Sequence, residues 1–267
     1  MSDTAVRPAP RSRRARPAST SLARVRVAAL YDVHGNLPAL EAVLADPRLE
    51  TADAIVSGGD LVAGPLPAEC LDALERLGSR VRFLAGNADR ETVSPSHEGP
   101  LAAVGRWGNA RLGAERLRRV AAWPATIELE VDGLGAVLFC HATPRSDTTI
   151  LTRLTPVDDV AAELAGIAAR TVVCGHTHVQ YEREVDGITL VNAGSVGMPY
   201  EGSAAARWAL LDGSGSSLVS TPYDAAAALR RLARTGFPLL ADWLEPVLRG
   251  EVTADEATRS FESRRGA

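Results

Sequence analysis

The stretch TVVCGHTHVQ, residues 171–180, ends a β-branched run with a glycine and two histidines one residue apart. The chain has five histidines in 267 residues. Four of them directly follow a short apolar run: His34, His141, His176 and His178. An imidazole in that place can bind a metal ion or move a proton. Two core histidines that satisfy each other within a tight turn would give the same GHTH motif, so this motif alone leaves both interpretations open.

Other metal-binding residue types follow the predicted strands in the same way. YDVHGN ends the first strand with Asp32 and His34, and GGD ends the second with Asp60. Asn87 ends the third in GN, and His141 follows a later strand in CHA. In open α/β sheets, ligands bind beyond the carboxyl ends of the strands. We therefore expect seven side chains to converge on one rim: Asp32, His34, Asp60, Asn87, His141, His176 and His178.

This set of ligands is too large for one ion and suits two. If Asp60 is shared, each ion has four protein ligands and open positions for water. Two divalent ions, balanced by Asp32, Asp60 and a bridging hydroxide, leave roughly one positive charge at the site. The neutral amide of Asn87 preserves that surplus. The pattern favours a two-metal site that attracts an anion, and phosphate is the expected anion.

The elements that must position these residues alternate along the chain. VRVAALYD, DAIVSGGD and RVRFLAGN predict strands, and the helices LPALEAVLAD and PAECLDALERLG lie between them. A long helix is predicted over 101–122 and another in PVDDVAAELAGIAA. Seven more runs resemble strands: ATIELEVDG, AVLFCHA, TVVCGH, VQYEREV, GITLVNAGS, RWALLD and SSLVSTPY. An α/β start followed by a β-rich stretch predicts two sheets packed face to face with helices outside.

Three segments are predicted along the chain. Residues 1–23 are rich in Arg, Pro and Ala without hydrophobic periodicity, which predicts a disordered tail. Residues 24–222 form the domain that carries the candidate ligands. Residues 223–267 are predicted to form a helical extension packed on that domain, with two or three amphipathic helices from Asp224 to about Arg264.

Composition narrows the class of protein. The chain is 46% hydrophobic, and at 267 residues it can bury a core without staples. Its three cysteines, Cys70, Cys140 and Cys174, lack CxxC spacing and are expected to be reduced thiols of a cytoplasmic protein. No apolar run approaches the ~20 residues that cross a bilayer. The net charge of −4 gives no reason to expect an obligatory nucleic-acid partner.

The motifs DVHGN, GGD, GNAD, CHATP and GHTH, followed by VNAGSVGMP, occur in that order from Val25 to about Tyr223. This series resembles the calcineurin-like metallophosphoesterase superfamily and, within it, the small bacterial and archaeal phosphodiesterases of the YfcE type. The resemblance implies a single-domain, four-layer αββα sandwich. It also implies one metal held by Asp32, His34, Asp60 and His178. The second metal would be held by Asp60, Asn87, His141 and His176.

The resemblance implies metal-assisted hydrolysis of a phosphate ester, in which a hydroxide held between the two metals that Asp60 bridges attacks phosphorus. One position departs from the family: many members have a histidine as proton donor where this chain has Ala88. General acid catalysis is typically worth ~10²–10⁴-fold. A phosphodiesterase is therefore favoured over a phosphomonoester or phosphoprotein phosphatase. Asp89 is a candidate proton relay, although a residue in its place also caps the next turn.

Three further residues follow ligand motifs or lie in loops. Arg145 in HATPRSD and Arg90 in GNADR are candidate phosphate clamps, and either is equally explained as a surface arginine. His97, in SPSHEGP, is expected to be a solvated loop residue. The ligand types suit manganese first, with iron, zinc, nickel and cobalt as alternatives. The expected partner is a small phosphate-ester substrate, and a homo-oligomer formed through an exposed sheet edge is left open.

Other chemistries are less compatible with the sequence. AGSVG resembles a GxSxG nucleophile elbow with Ser195 as nucleophile, but no histidine follows His178 to complete an α/β-hydrolase triad. All 29 basic residues are arginine, so the lysine of a P-loop is missing. A non-catalytic interaction scaffold on the same fold is the remaining alternative. It predicts little bound metal and no hydrolysis.

Overall fold

A computed structural model describes residues 25–95, 98 and 100–266 of the chain. Within them, ten strands form two five-stranded sheets. Each strand pattern in the sequence overlaps one observed strand. The strands are β1 (Val27–Leu30), β2 (Ala54–Ser57), β3 (Val81–Phe83), β4 (Thr126–Val131), β5 (Gly135–Cys140), β6 (Thr171–Cys174), β7 (Tyr181–Val185), β8 (Ile188–Asn192), β9 (Ala206–Asp212) and β10 (Gly215–Thr221).

Both sheets are mixed. The first has the order β10-β9-β1-β2-β3, with β1, β2 and β3 parallel and β9 and β10 antiparallel. The second has the order β4-β5-β6-β8-β7, with β5, β6 and β8 parallel and antiparallel strands at both edges. Because the central strands of each sheet are parallel, the turns that follow them lie at one end of that sheet.

The helices flank the two sheets. Those predicted in the first two thirds of the chain are present, but the helix predicted over 101–122 is interrupted at Gly113, where φ is 72° and ψ is 164°. Two short helices, over Pro47–Glu50 and Asn87–Val93, were not predicted. The helices are α1 (Leu37–Leu44), α2 (Pro47–Glu50), α3 (Pro67–Glu75), α4 (Asn87–Val93), α5 (Pro100–Ala121), α6 (Val157–Leu164), α7 (Ala225–Ala233), α8 (Glu245–Leu248) and α9 (Ala254–Glu262).

Side-chain alternation on β1 shows how the layers form. Ala28 and Leu30 pack against the helices outside the first sheet. Val27 and Ala29, together with Tyr31, point the other way, into the core between the sheets. A separate cluster that includes residues of β6 and α6 covers the outer face of the second sheet. The arrangement confirms the predicted four-layer αββα sandwich.

The C-terminal segment packs against the loops at one end of the sandwich. Buried Met198 contacts a cluster of residues from this segment: Leu232, Leu244, Val247 and Leu248. A π-helical turn over Leu240–Leu244 leads directly into α8. No helix in the described part of the chain is long and apolar enough to cross a membrane. The tail predicted over residues 1–23 lies outside the described residues, as does His97.

Phe139 tests the core between the sheets, since its side chain is fully buried there. We expect Phe139→Ala to lower the free energy of unfolding by about 3–5 kcal/mol, because it removes apolar contacts and leaves a cavity. Leu154→Ala is the control, since Leu154 is 55% exposed, and its effect should stay within about 0.5 kcal/mol. Urea unfolding followed by circular dichroism measures both. Equal effects would contradict this assignment of the core.

Candidate metal centre

The structure brings all seven candidate ligands together at the rim formed by the strand ends. Asp32 and His34 follow β1, Asp60 follows β2, and Asn87 begins α4 after β3. His141 follows β5 directly. Five of the seven line a common cavity: His34, Asp60, Asn87, His176 and His178. The other two, Asp32 and His141, lie together with Asp60 in a compact group of metal-binding side chains. The ends of both sheets therefore contribute to a single site.

Five of these ligands have a left-handed backbone conformation. Their φ angles are between 47° and 66°, and the residues are Asp32, His34, Asp60, His176 and His178. Among the described non-glycine residues, only Asp186, in the turn between β7 and β8, shares this conformation. Each costs about 1–2 kcal/mol relative to ordinary backbone. Such strain is retained where the surrounding structure imposes it, and here it is concentrated at the candidate site.

Backbone hydrogen bonds hold the ligand turns against one another. The Asp32 amide donates to the Gly59 carbonyl over 3.1 Å, and the His34 amide donates to the Asp60 carbonyl over 2.9 Å. The amide of His176 donates to Asp32 Oδ2 over 2.9 Å. These bonds link turns from both sheets, so the position of each ligand depends on the others.

Three imidazoles are oriented by backbone carbonyls. His34 Nδ1 lies 3.1 Å from the Ala63 carbonyl oxygen, and His141 Nδ1 lies 3.0 Å from that of Gly58. His178 Nδ1 lies 2.9 Å from the carbonyl oxygen of Met198. With Nδ1 as the donor, Nε2 of His34 and His178 keeps its lone pair for a metal. Burial works to lower the pKa of His141, but Asp60 and Asp32 raise it to about 10, so this ring would release a proton on binding a metal.

One group of ligands surrounds Asp32. Its Oδ1 atom lies 3.3 Å from His178 Nε2 and 3.9 Å from His34 Nε2. The two Nε2 atoms are 3.2 Å apart. Asp32 is fully buried, and its Oδ1 atom has no hydrogen-bond partner. A bare carboxylate oxygen beside two imidazole lone pairs fits a cation.

Asp60 lies between this group and a second one. Its Oδ2 atom is 3.8 Å from His34 Nε2 and 3.4 Å from His141 Nε2. Asp32 Oδ1 is also 3.9 Å from His141 Nε2, so both carboxylates approach the second group. The sequence predicted this shared position for Asp60 alone.

Asn87 and His176 complete the second group. Asn87 Oδ1 lies 3.1 Å from His141 Nε2 and 3.1 Å from His176 Nδ1. It is also 3.1 Å from the carbonyl oxygen of Asp147. With the amide turned over, its nitrogen would donate to all three of these atoms. With the oxygen in this place, a cation would instead be bound by the oxygen and both ring nitrogens. The chemistry of both donor groups therefore fits divalent metal ions.

The electrostatics of the site favour the metal-binding forms of two residues. Burial works to raise the pKa of Asp60, but the imidazoles of His141, His34 and His176 outweigh it and hold that pKa below its usual value. Burial, assisted by His141, lowers the pKa of His176 to about 4. Asp60 is thus anionic and His176 neutral at pH 7, as metal coordination requires.

Ser195 has a supporting position instead of a nucleophilic one. Its side chain is fully buried, and Oγ donates to the Asp32 carbonyl over 2.7 Å and accepts from the Met198 amide over 2.8 Å. A Cβ on Gly197 would lie 1.8 Å from the Val33 carbonyl oxygen, so this turn requires glycine there. The AGSVG motif therefore forms a turn that packs against the ligand loop after β1.

The two candidate phosphate clamps have other partners. Arg90 forms a bidentate pair with Asp147, with N–O distances of 2.9 and 3.0 Å. The Arg145 guanidinium donates to carbonyl oxygens at the end of α6, including that of Glu163 over 3.2 Å. Both arginines line a second cavity of about 410 Å³, which His141 also lines. The structure does not place either guanidinium in the cavity formed by the metal-binding residues.

Asp89 is buried directly below the site. Its carboxylate accepts from the Val62 amide over 3.0 Å and from the Gly86 amide over 3.1 Å. The second bond caps α4, as a residue at this position was expected to do. Burial and the Asp60 charge raise the pKa of Asp89 to about 7. Ala88 lines the cavity.

The C-terminal segment forms one side of this cavity, whose volume is about 500 Å³. Metal-ligand candidates form the floor: His34, Asp60, Asn87, His176 and His178. The opposite side comes from residues 242–264, together with Tyr200. The sequence did not indicate these residues, because an amphipathic pattern shows which face of a helix is buried but not which surface covers that face.

Comparisons with known proteins identify the family. The family model described as the calcineurin-like phosphoesterase superfamily domain matches residues 25–215. The uncharacterized protein MJ0912 of Methanocaldococcus jannaschii is 27% identical over 244 residues, which cover 82% of this chain and 95% of that protein.

Solved structures agree with this assignment. A metallophosphoesterase from Sphaerobacter thermophilus is 25% identical, with a TM-score of 0.68, over 86% of this chain and all of that one. The structures also include YfcE, a phosphoesterase from E. coli, which is 21% identical, with a TM-score of 0.45, over 70% of this chain and 88% of that one. Together with the family match, the similarity to the Sphaerobacter thermophilus protein supports a general phosphoesterase function that depends on divalent metal ions. The chain belongs to the calcineurin-like phosphoesterase superfamily.

Proposed function

We propose that this protein is a two-metal phosphodiesterase that acts on a small phosphate ester. The position of Asp60 carries the proposal, because one carboxylate oxygen lies within 3.8 Å of His34 Nε2 and 3.4 Å of His141 Nε2. A carboxylate between two groups of imidazoles supports a bridging role. Asp32, His34 and His178 would complete one metal site. Asn87, His141 and His176 would complete the other.

The chain and the metals would share the chemical work. Divalent cations at such a site lower the pKa of bound water and neutralise phosphate oxygens. Carbonyls of Gly58, Ala63 and Met198 fix the imidazoles before substrate arrives, so little reorganisation is needed during the reaction.

The charges around the cavity favour a diester over a monoester. Asp242 and Glu256 line the cavity, and Arg264 is the one arginine among its lining residues in the described part of the chain. With two divalent cations balanced by Asp32, Asp60 and a bridging hydroxide, roughly one positive charge would remain at the metal ligands. This charge matches a phosphodiester monoanion. Ala88 supplies no proton, which disfavours esters with poor leaving groups.

Manganese is the first candidate among the metals, with iron, zinc, nickel and cobalt as alternatives, since carboxylate, amide and imidazole ligands suit them all. We further propose a cytoplasmic location. Its support is chemical: Cys70, Cys140 and Cys174 are all buried free thiols. Burial raises the pKa of each of these thiols and keeps them unreactive.

Metal binding should stabilise the fold. Adding MnCl₂ to chelator-treated protein at about 100 times its dissociation constant should raise the free energy of unfolding by about 2.7 kcal/mol for each independent site. Asp32→Asn should lose much of this gain, whereas Asp158→Asn, at an exposed position on α6, should keep it. Thermal unfolding and titration calorimetry provide the measurements. A stoichiometry of one ion per chain would contradict the two-metal arrangement.

Manganese-loaded protein should hydrolyse bis-p-nitrophenyl phosphate with a higher kcat/KM than p-nitrophenyl phosphate. Asp60→Asn should lower this kcat/KM by more than about 10²-fold, because even partners outside the metal ligands can be worth 10–100-fold. Asp186→Asn is a matched control, since Asp186 has the same left-handed backbone but lies in a hairpin turn. Folded, metal-loaded protein that hydrolyses neither compound would favour the interaction scaffold.

A further inference from the structure

The side of the cavity opposite the metal ligands is formed mainly by residues that lie outside the matched family region of 25–215. Apolar residues make up much of this side, which we call the aromatic wall. It consists of Tyr200, Trp243, Val247, Val252 and Phe261. A site that bound only a phosphate group would gain nothing from such a surface, because phosphate and its counter-charges are strongly hydrated.

Three rings of the wall contact candidate metal-binding histidines. Tyr200 stacks on His178 with ring centroids 4.7 Å apart and an interplanar angle of 21°. The Trp243 ring approaches His34 edge-on, with centroids 5.5 Å apart. The chain has four residues each of Trp, Tyr and Phe among 267, so three rings at one cavity are a local concentration.

Phe261, on α9, is the third of these rings. Its centroid lies 6.3 Å from that of His176 and 6.3 Å from that of Tyr200. The Arg264 guanidinium carbon lies 4.7 Å from the Phe261 centroid, and Nε of Arg264 donates to the Ser260 carbonyl over 3.1 Å. Phe261 is therefore held between a cation and the metal-ligand side of the cavity.

Polar contacts fasten α9 to the domain. Glu262 Oε1 accepts from Thr152 Oγ1 over 2.5 Å and from Thr155 Oγ1 over 2.6 Å. Arg265 pairs with Asp159. The N-terminus of the helix has a capping box formed by Thr253 and Glu256. These contacts make the aromatic wall a fixed surface of the site.

We propose that the aromatic wall selects phosphate esters that carry a flat aromatic substituent on an ester oxygen. This inference rests on the proposed function, because the phosphate would lie at the metal ligands. A cavity of about 500 Å³ accommodates a phosphate with one aromatic group. The substituent would stack against Phe261, Tyr200 or Trp243 and be removed from water. Phe261 is thus a specificity-determining residue that the metal-binding motifs do not include.

Two substrates with the same leaving group test the proposal. Bis-p-nitrophenyl phosphate and ethyl p-nitrophenyl phosphate both release p-nitrophenol, and they differ in the group that stays on phosphorus. Phe261→Ala should reduce the ratio of their kcat/KM values about tenfold, as expected for losing part of an apolar pocket. Arg259→Ala, at an exposed position on the same helix, should leave the ratio unchanged. A ratio that Phe261→Ala leaves unchanged would overturn the proposal.

Binding provides a measurement that is independent of turnover. Calorimetry of the metal-loaded wild-type protein should show tighter binding of phenylphosphonate than of methylphosphonate, and Phe261→Ala should reduce that preference about tenfold. If Phe261→Ala fails to fold, Trp243→Leu serves the same purpose. If the protein hydrolyses neither diester but still binds phenylphosphonate more tightly than methylphosphonate, only the proposed function is contradicted. Turnover without any phenyl preference would contradict only the selection by the aromatic wall.

Discussion

Burial of two carboxylates at the strand ends is the constraint on which the rest of the site depends. Asp32 is fully buried, and Asp60 is 3% exposed. An ionised carboxylate costs several kcal/mol to remove from water unless it is paired. The chain offers amides and imidazoles to both, yet Asp32 Oδ1 remains without a hydrogen-bond partner. The remaining counter-charge is what a divalent cation supplies.

The ligand turns adopt a strained backbone conformation that keeps these charges close together. Five ligands adopt left-handed backbone, and glycine stands where a side chain would collide with them. A Cβ on Gly86 would lie 2.2 Å from Asp60 Oδ1, and one on Gly175 would lie 2.4 Å from Asp32 Oδ2. The sandwich tolerates this strain because turns from both sheets are hydrogen-bonded to one another. The metal-binding geometry is therefore a property of the assembled sheets and of no single loop.

The C-terminal segment forms one side of the cavity at the metal ligands. It adds two aromatic rings and one arginine to a cavity that is otherwise lined by metal-binding groups, Ala88 and Tyr200. Its contacts with Thr152 and Thr155, and the packing of Met198 against Leu232 and Leu244, tie it to the same loops that hold the ligands. Metal binding and the recognition of an ester substituent thus belong to different parts of the chain that share one cavity.

The sequence by itself determined the order of strands and helices and the residues that could bind metal. The strand ends could be predicted because a short apolar run stops there and is followed by Asp, Asn or His. The start of α4 at Asn87 and the break at Gly113 were missed, since neither carries a periodic signal.

Only the tertiary structure decided which groups face one another. It paired Arg90 with Asp147, directed Arg145 to the end of α6, and placed Phe261 beside His176. Residues 85 positions apart along the chain meet in that last contact. The physical reason is that strand and helix patterns arise from neighbours in sequence, whereas such contacts depend on how whole elements pack.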